Sequence, residues 1–542
     1  MPVKSRLSHN GFWKILPRFS HYFFILCCYL PTTLPYFALY SADVEGRVTG
    51  FIQNDMSTYM ANAREHFDEG EFRLFYTNPN NIEEAHIYFQ PHTLILGIIQ
   101  FATGGDPDLV LNVFGLIAGL LCVGLAYKVL FLVVQKTEKY WIDIVFVCFL
   151  WGGGLLSISS LIWMISQSYQ ADSYISWVTH FDPGSGFWML NFGRNLLYPT
   201  ESFYHLLFFG TLYTALLKKW KWTAVLLLLL ALSHPFTGLQ VNLAFMLWFL
   251  LRKVYLRDEQ IPKRMLHLSI IFMIGIVGYY LVFLNLFPTH RAVFDQWSLD
   301  WSIKAKHFIP AYCLVVGLMF IRIRKPRKLI NFLDSSSNQL FIIIAFVSFL
   351  LANHEFFISP KQPAHFTHGY VWIPLFLLGS KSLVAIFRLV AQKLYWKHWI
   401  TFLICLILCG DNLLFIPSLT LDNLKRPSYI THDRQLVYDW FNQKEDLGSG
   451  IILTQDKSLC KEIPVYTTMK SYIAHPYNTS HYEEKAAAVQ KVFTLGQIPM
   501  KLTNSNFWVI SSSSSKPFQN VKLKKEGQLG RYVLWYYQFT SR

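Results

Sequence analysis

Residues 54–70, NDMSTYMANAREHFDEG, follow the first apolar run of the chain and a short polar loop, and the reading of the fold turns on them. Met56, Tyr59, Met60, Ala63 and Phe67 recur at three- and four-residue steps, which predicts an amphipathic helix over Asp55–Asp68 lying along a membrane surface. Asp55 opens that helix. A carboxylate at a helix N-terminus is favoured in its ionised form, so Asp55 can accept a proton from an alcohol or help hold a divalent cation. Capping of the helix is the competing role for the same side chain.

Outward from this stretch the chain is dominated by apolar runs, near 20–40, 108–135, 141–164, 200–217, 222–235, 237–252, 265–287, 306–321, 338–352, 369–391 and 397–416. They predict about eleven transmembrane helices, since about 20 apolar residues cross the hydrocarbon layer. The pair of short runs around Ser233-His234-Pro235 reads as a hairpin or a re-entrant pair. Composition agrees, with 53% hydrophobic and 15% charged residues, against about 25% charged in a soluble domain. The net charge of +15 does not mark a nucleic-acid partner, because the basic residues sit in short tracts between apolar runs. With Lys4, Arg6, Lys14 and Arg18 in the cytoplasm, Lys136/Lys139, Lys218/Lys219/Lys221, Arg252–Arg264, Arg322–Lys328 and Arg388–Lys397 all fall on the same inner side. The first run is expected to be a retained span, since no small-x-small cleavage site follows it.

This orientation puts the acidic loop Ser41–Gln90, a short helix over Thr93–Ala102 and the tail beyond Pro417 outside. The tail reads as soluble α/β structure, with helices over 433–443 and 482–493 and strands over 450–454, 507–510 and 532–538. The predicted fold is therefore mainly α: a polytopic membrane helix bundle with outer juxtamembrane helices and a small C-terminal α/β domain. Its divisions are residues 1–416, including the outer loop 41–107, and residues 417–542. Only Cys460 lies in a soluble stretch, so neither a disulfide framework nor a cysteine zinc site is expected. Asn478-Thr479-Ser480 fits a glycosylation pattern and reads as an exposed loop.

Ionisable residues at membrane depth usually face a cavity. Glu201, His234, His365 and His368, with His354 and Glu355 nearby, all map to the outer side, where helix capping and interfacial placement are the competing roles. Arg194 is the first candidate for gripping a phosphate, because a guanidinium bonds phosphate oxygens in a bidentate manner; Lys361 competes for that role.

The pattern Asp55-x-x-x-Tyr59-x-x-x-Ala63-Arg64-Glu65, then Gly70-Glu71-Phe72, then Gln90-Pro91 opening an apolar helix, resembles the first outer loop of GT-C glycosyltransferases, among them the lipid A aminoarabinose and protein O-mannosyl transferases. A bacterial GT-C-like group is more similar. That resemblance is carried by Tyr76-Thr77-Asn78-Pro79, Glu84-Ala85-His86, Tyr198-Pro199-Thr200-Glu201, Ser233-His234-Pro235, Gln362-Pro363-Ala364-His365-Phe366, Asp439-Trp440, Ile463-Pro464 and Ala474-His475. Met56 stands where some members place a second acid. The resemblance implies transfer of a sugar from a polyprenyl-phosphate donor to a glycan, lipid or protein acceptor on the non-cytoplasmic face of a cell membrane, such as a bacterial inner membrane. Asp55 would be catalytic, and Tyr59, Glu84, His86, Arg194, Glu201, His234, Lys361, His365 and His368 would bind substrate. No cofactor is demanded, and a divalent cation is left open. The rival is a transporter or a non-catalytic glycan- or lipid-binding assembly protein, although the internal repeats common in transporters are not visible.

Overall fold

The computed structural model describes residues 19–538, apart from 54, 79, 81–84, 136–137, 169–172, 187–189, 299–302, 324–325, 394, 427, 445–449, 504 and 513–522. Each apolar run of the sequence is helical, as a chain in lipid must be if its backbone groups are to bond internally. Among the described residues, six helices are long and apolar enough to cross a membrane: His21–Tyr40, Pro107–Val134, Lys263–Leu286, Ala305–Arg322, Trp372–Gln392 and Lys397–Lys425. Two bent pairs, Lys139–Trp151 with Leu156–Ser166 (54°) and Arg327–Leu333 with Ser336–Leu351 (80°), raise the number to as many as eight. Trp220–Ser233 and Pro235–Leu250 are short, and Pro199–Leu216 begins with Thr200, Glu201 and Ser202. The chain is thus a multi-pass membrane protein, but length and composition do not establish eleven spans.

Arg194 is fully buried and lies at the first of these bends. Its NH1 meets Asp182 Oδ1 at 2.9 Å, its NH2 meets Asp411 Oδ2 and Ser157 Oγ at 2.9 Å each, and its Nε donates to Asn412 Oδ1 at 3.1 Å. The guanidinium also covers the Phe415 ring at 3.9 Å. Asp411 in turn accepts the Ser157 amide at 2.7 Å, satisfying a backbone donor freed where the helix breaks. Arg194, expected to grip a phosphate, is instead enclosed by two carboxylates and two polar side chains of the protein itself.

The predicted surface helix also sits differently. Asp55–Glu65 is helical, but Met56, Met60 and Ala63 are buried against Leu96 and Leu111 and against Val465 of the C-terminal domain. Protein, not lipid, covers its apolar face. Its close crossing with Pro91–Thr103 depends on Gly97, where a Cβ would stand 2.4 Å from Ala63 O.

Beyond the Lys397–Lys425 helix the tail forms a mixed five-stranded sheet of β3 (Ile451–Thr454), β4 (Lys470–Ser471), β5 (Phe507–Ser512), β6 (Leu523–Leu529) and β7 (Tyr532–Tyr537), in the order β4-β3-β5-β7-β6. Alternate residues serve opposite faces. Ile452, Trp508, Ile510 and Leu534 pack with Leu459 and Ile463, whereas Leu453, Phe507, Val509 and Val533 pack with Val489 and Val492. Burial on both sides explains why these strands read as unbroken apolar runs.

A second, two-stranded ribbon pairs β1 (Gly46–Val48) with β2 (Tyr429–Thr431) antiparallel and fastens this domain to the first outer loop. Beside it, buried Asp108 accepts from Arg47 NH1 at 2.9 Å and from the Tyr466 hydroxyl at 3.2 Å. The expected exposed loop at Asn478-Thr479-Ser480 is corrected as well: Thr479 and Ser480 are buried in the contact between the domain and the bundle.

Two outcomes follow for this architecture. Arg194→Ala strands Asp182 and Asp411 as uncompensated buried charges, which costs about 3–5 kcal/mol; the thermal midpoint of the purified protein should fall. Unchanged stability with weakened binding of a phosphate ligand would contradict the structural role. Asp108→Ala leaves Arg47 and Tyr466 without their shared acceptor and should speed amide exchange in the β1–β2 ribbon roughly tenfold, a penalty of 1–3 kcal/mol being usual for such losses. Exchange at the wild-type rate would contradict it.

Candidate functional site

The first helical residue after the outer loop's ribbon is Asp55, whose side chain is 28% exposed. Its Oδ1 lies 3.0 Å from His475 Nε2, and Gln53 Nε2 approaches its Oδ2 at 3.4 Å. Lys461 is also close. Burial lowers the Lys461 ammonium, and the charge of Asp55 opposes that shift. His475 and Lys461 both belong to the C-terminal domain, so Asp55 stands beneath that domain rather than open to bulk solvent.

One turn further along the same helix, Tyr59 lies beside Tyr204 and Thr200 and sets its ring edge-on to His92 at 5.2 Å. Burial raises its phenol, and the charges of Asp55 and Glu201 add to the rise. The chain of contacts continues inward. Tyr204 bonds His92 Nε2 at 3.3 Å and stacks on His234 at 4.7 Å. His234 caps the Pro235–Leu250 helix through Nδ1, which accepts the Thr237 amide at 3.3 Å. His365 lies 5.9 Å from His234 and 5.7 Å from His368, ring to ring. His368 Nδ1 stands 3.5 Å from Glu201 Oε1 and 3.1 Å from Asn195 Oδ1. Burial, reinforced by the neighbouring imidazoles, pushes His365 and His368 well below the usual histidine range, so both are neutral at pH 7.

Tyr59, Glu201, His234, His365 and His368 thus form one connected polar and aromatic belt that begins a turn from Asp55. Glu201 is buried with no hydrogen bond to its Oε2. Such a carboxyl adjoining a phenol and imidazoles gives hydrogen-bonding groups where a polar headgroup could be held.

The other sequence candidates lie apart from the belt. His86 is half exposed, 3.8 Å from Glu65 Oε1 and 3.5 Å from Arg73 NH1. Glu65 is bonded to Thr77, whose hydroxyl also receives Lys470 Nζ at 2.9 Å, so this part of the loop ties the domain down. Glu84 lies outside the described residues. Lys361 donates to Phe294 O at 2.9 Å and Ser298 Oγ at 2.8 Å, fastening its loop to the Pro288–Gln296 helix. Arg194 serves the helix bend.

Residues not assigned from the sequence are His475, Lys461, His92 and Tyr204. Lys461 sits on the unpredicted helix Lys457–Tyr466, which packs on Asp55–Glu65. Its signals were an Asp456 cap and apolar Leu459 and Ile463 four residues apart, with Pro464 masking them. Among the described residues, no group of three or more His, Cys, Asp or Glu side chains is disposed to hold a metal ion.

No family model and no curated protein matches the chain. Among solved structures it is similar to ArnT from Cupriavidus metallidurans bound to undecaprenyl phosphate, with 12% identity over 95% of this chain and 98% of that one and a TM-score of 0.46. It is also similar to the Archaeoglobus fulgidus oligosaccharyltransferase tethered with an acceptor peptide containing the NVT sequon, with 12% identity over 92% of this chain and 69% of that one and a TM-score of 0.52. The likeness to the oligosaccharyltransferase extends over membrane bundle, outer loop and tail alike, and the fold implied by the sequence resemblance, GT-C, is the fold of this chain.

Proposed function

We propose that the chain is an integral-membrane glycosyltransferase that moves a sugar from a polyprenyl-phosphate donor to an acceptor on the non-cytoplasmic face. The observation that carries this reading is Asp55: a partly exposed carboxylate at the start of a rigidly packed helix, roofed by His475 and followed by the polar belt, in a GT-C fold. The similar oligosaccharyltransferase is tethered with an acceptor peptide, which supports transfer to an acceptor. Fold alone does not assign an activity, so the argument rests on the site.

In this reading the acceptor hydroxyl gives its proton to Asp55 as its oxygen forms the new bond to the anomeric carbon. The bond from that carbon to the phosphate oxygen breaks, and its electron pair leaves with the polyprenyl phosphate. The leaving group is already a stabilised anion, so no nucleotide site is required. A divalent cation, where one is used, would be held by Asp55 together with substrate phosphate oxygens, as Mg²⁺ commonly is. The belt residues Tyr59, Glu201, His234, His365 and His368 would orient the sugar. The basic tracts then face the cytoplasm, and the outer loop and C-terminal domain lie across the membrane from them.

Asp55→Asn keeps the shape and removes the proton acceptor. Membranes containing the variant and supplied in turn with polyprenyl-phosphate-linked mannose, glucose or aminoarabinose should lose about 10²–10⁴-fold in transfer at wild-type expression, the usual contribution of a general base. Wild-type transfer by Asp55→Asn would sink the assignment. Solute uptake into proteoliposomes without any glycosyl donor is the outcome the transporter rival requires.

A further inference from the structure

We infer that His475, delivered by the C-terminal domain, is a positioning residue for Asp55, and that the candidate site is complete only when that domain is docked. The inference rests on the glycosyl-transfer reading of Asp55 and gives a role to a residue that reading only places.

The ring's tautomer follows from its partners. His475 Nδ1 lies 3.2 Å from the Tyr477 backbone amide, which can only donate, so Nδ1 presents its lone pair. In the neutral ring the proton is then on Nε2, the nitrogen 3.0 Å from Asp55 Oδ1. His475 therefore donates a charge-assisted hydrogen bond to the carboxylate and does not compete with it for a proton. Oδ1 is committed to the imidazole. Oδ2, approached among the described residues by Gln53 Nε2 at 3.4 Å, is the oxygen left for an acceptor hydroxyl.

The loop that carries His475 is held from two elements of the membrane domain. Asn78 Nδ2 donates to Asn478 O at 2.6 Å, and Trp297 Nε1 donates to Tyr477 O at 2.8 Å. The Gln296 amide, in the orientation that satisfies its neighbours, bridges Pro476 O and Thr479 O at 3.1 Å each and accepts from His481 N at 2.7 Å. Within the loop, Thr479 Oγ1 receives the Ala474 amide at 3.2 Å. These fixed points surround the loop that carries the ring and are separate from the ribbon and Asp108, which also tie the domain down. A carboxylate fixed at one oxygen keeps the other aligned for in-line proton transfer, and a misplacement of about 1 Å is enough to cost roughly 10²-fold in rate.

The test compares full-length wild type with Asp55→Asn, His475→Ala and His475→Gln, using a polyprenyl-phosphate-linked sugar as donor. His475→Ala should lower kcat about 10²-fold with little change in KM. His475→Gln, whose amide nitrogen can reach the same oxygen, should recover most of the loss. Full activity in His475→Ala alongside an inactive Asp55→Asn overturns this inference and leaves the function standing. Equal impairment of Ala and Gln variants at wild-type thermal stability also overturns it. Full activity in Asp55→Asn removes the function and this inference together. A donor-free arm uses ¹⁵N-histidine spectra, with His475 assigned from His475→Gln. An Nε2–H tautomer that shifts in Asp55→Asn supports the pairing, whereas an Nδ1–H tautomer or an unresponsive signal overturns it whether or not transfer is measurable.

Discussion

Antiparallel pairing of Gly46–Val48 with Tyr429–Thr431 joins the beginning of the outer loop to the start of the C-terminal domain, across almost the whole membrane bundle in sequence. Gly46 has φ +151°, and a Cβ there would stand 2.0 Å from Ile430 O, so the approach tolerates glycine only. Closing so long a segment carries an entropy cost that rises only slowly with length, and it is offset once other contacts form on the same face. Those contacts are Asp108 with Arg47 and Tyr466, Thr77 with Lys470, and Arg64 Nε with Pro464 O at 2.9 Å. With the ribbon in place, the Asp55–Glu65 helix is compressed between the Pro91–Thr103 helix and the domain. Asp55 is then presented at a fixed position rather than on a helix floating in lipid.

The same economy of charge governs the bundle. Removing an ion from water costs several kcal/mol unless partners compensate it, and two buried ionisable groups are treated in opposite ways. Arg194 is compensated on every side and does structural work at a helix break. Glu201 keeps an oxygen without a hydrogen bond, beside His368 and His205, at the edge of the belt that leads from Asp55. A fully satisfied ion stabilises a fold; a buried carboxyl with an unsatisfied oxygen near a partly exposed carboxylate is where a ligand has something to contribute.

Much of this was legible in the sequence because it is periodic. The apolar runs, the helix at Asp55 and five tail elements are each a local pattern, and the motifs around Tyr59, Glu201, His234, His365 and His368 lie together in space. What escaped depends on contacts between distant segments. Arg194 looks like a ligand-binding cation until Asp182 and Asp411 close on it from separate elements. The amphipathic face of Met56, Met60 and Ala63 signals burial, but periodicity does not say whether lipid or Val465 covers it. Thr479 and Ser480 are polar and near Pro476, the usual marks of an exposed turn, and are buried because their loop meets the membrane domain at Gln296. His475 carried no local signal of its pairing with Asp55.

The most direct test is an experimental structure of the chain with a polyprenyl-phosphate-linked sugar bound. The account expects the sugar's anomeric carbon within reach of an acceptor oxygen bonded to Asp55, with His475 still on the other carboxylate oxygen and the sugar ring against Tyr59 and Glu201. A donor bound at the opposite end of the bundle, or one that leaves Asp55 uncontacted while transfer proceeds, would contradict it.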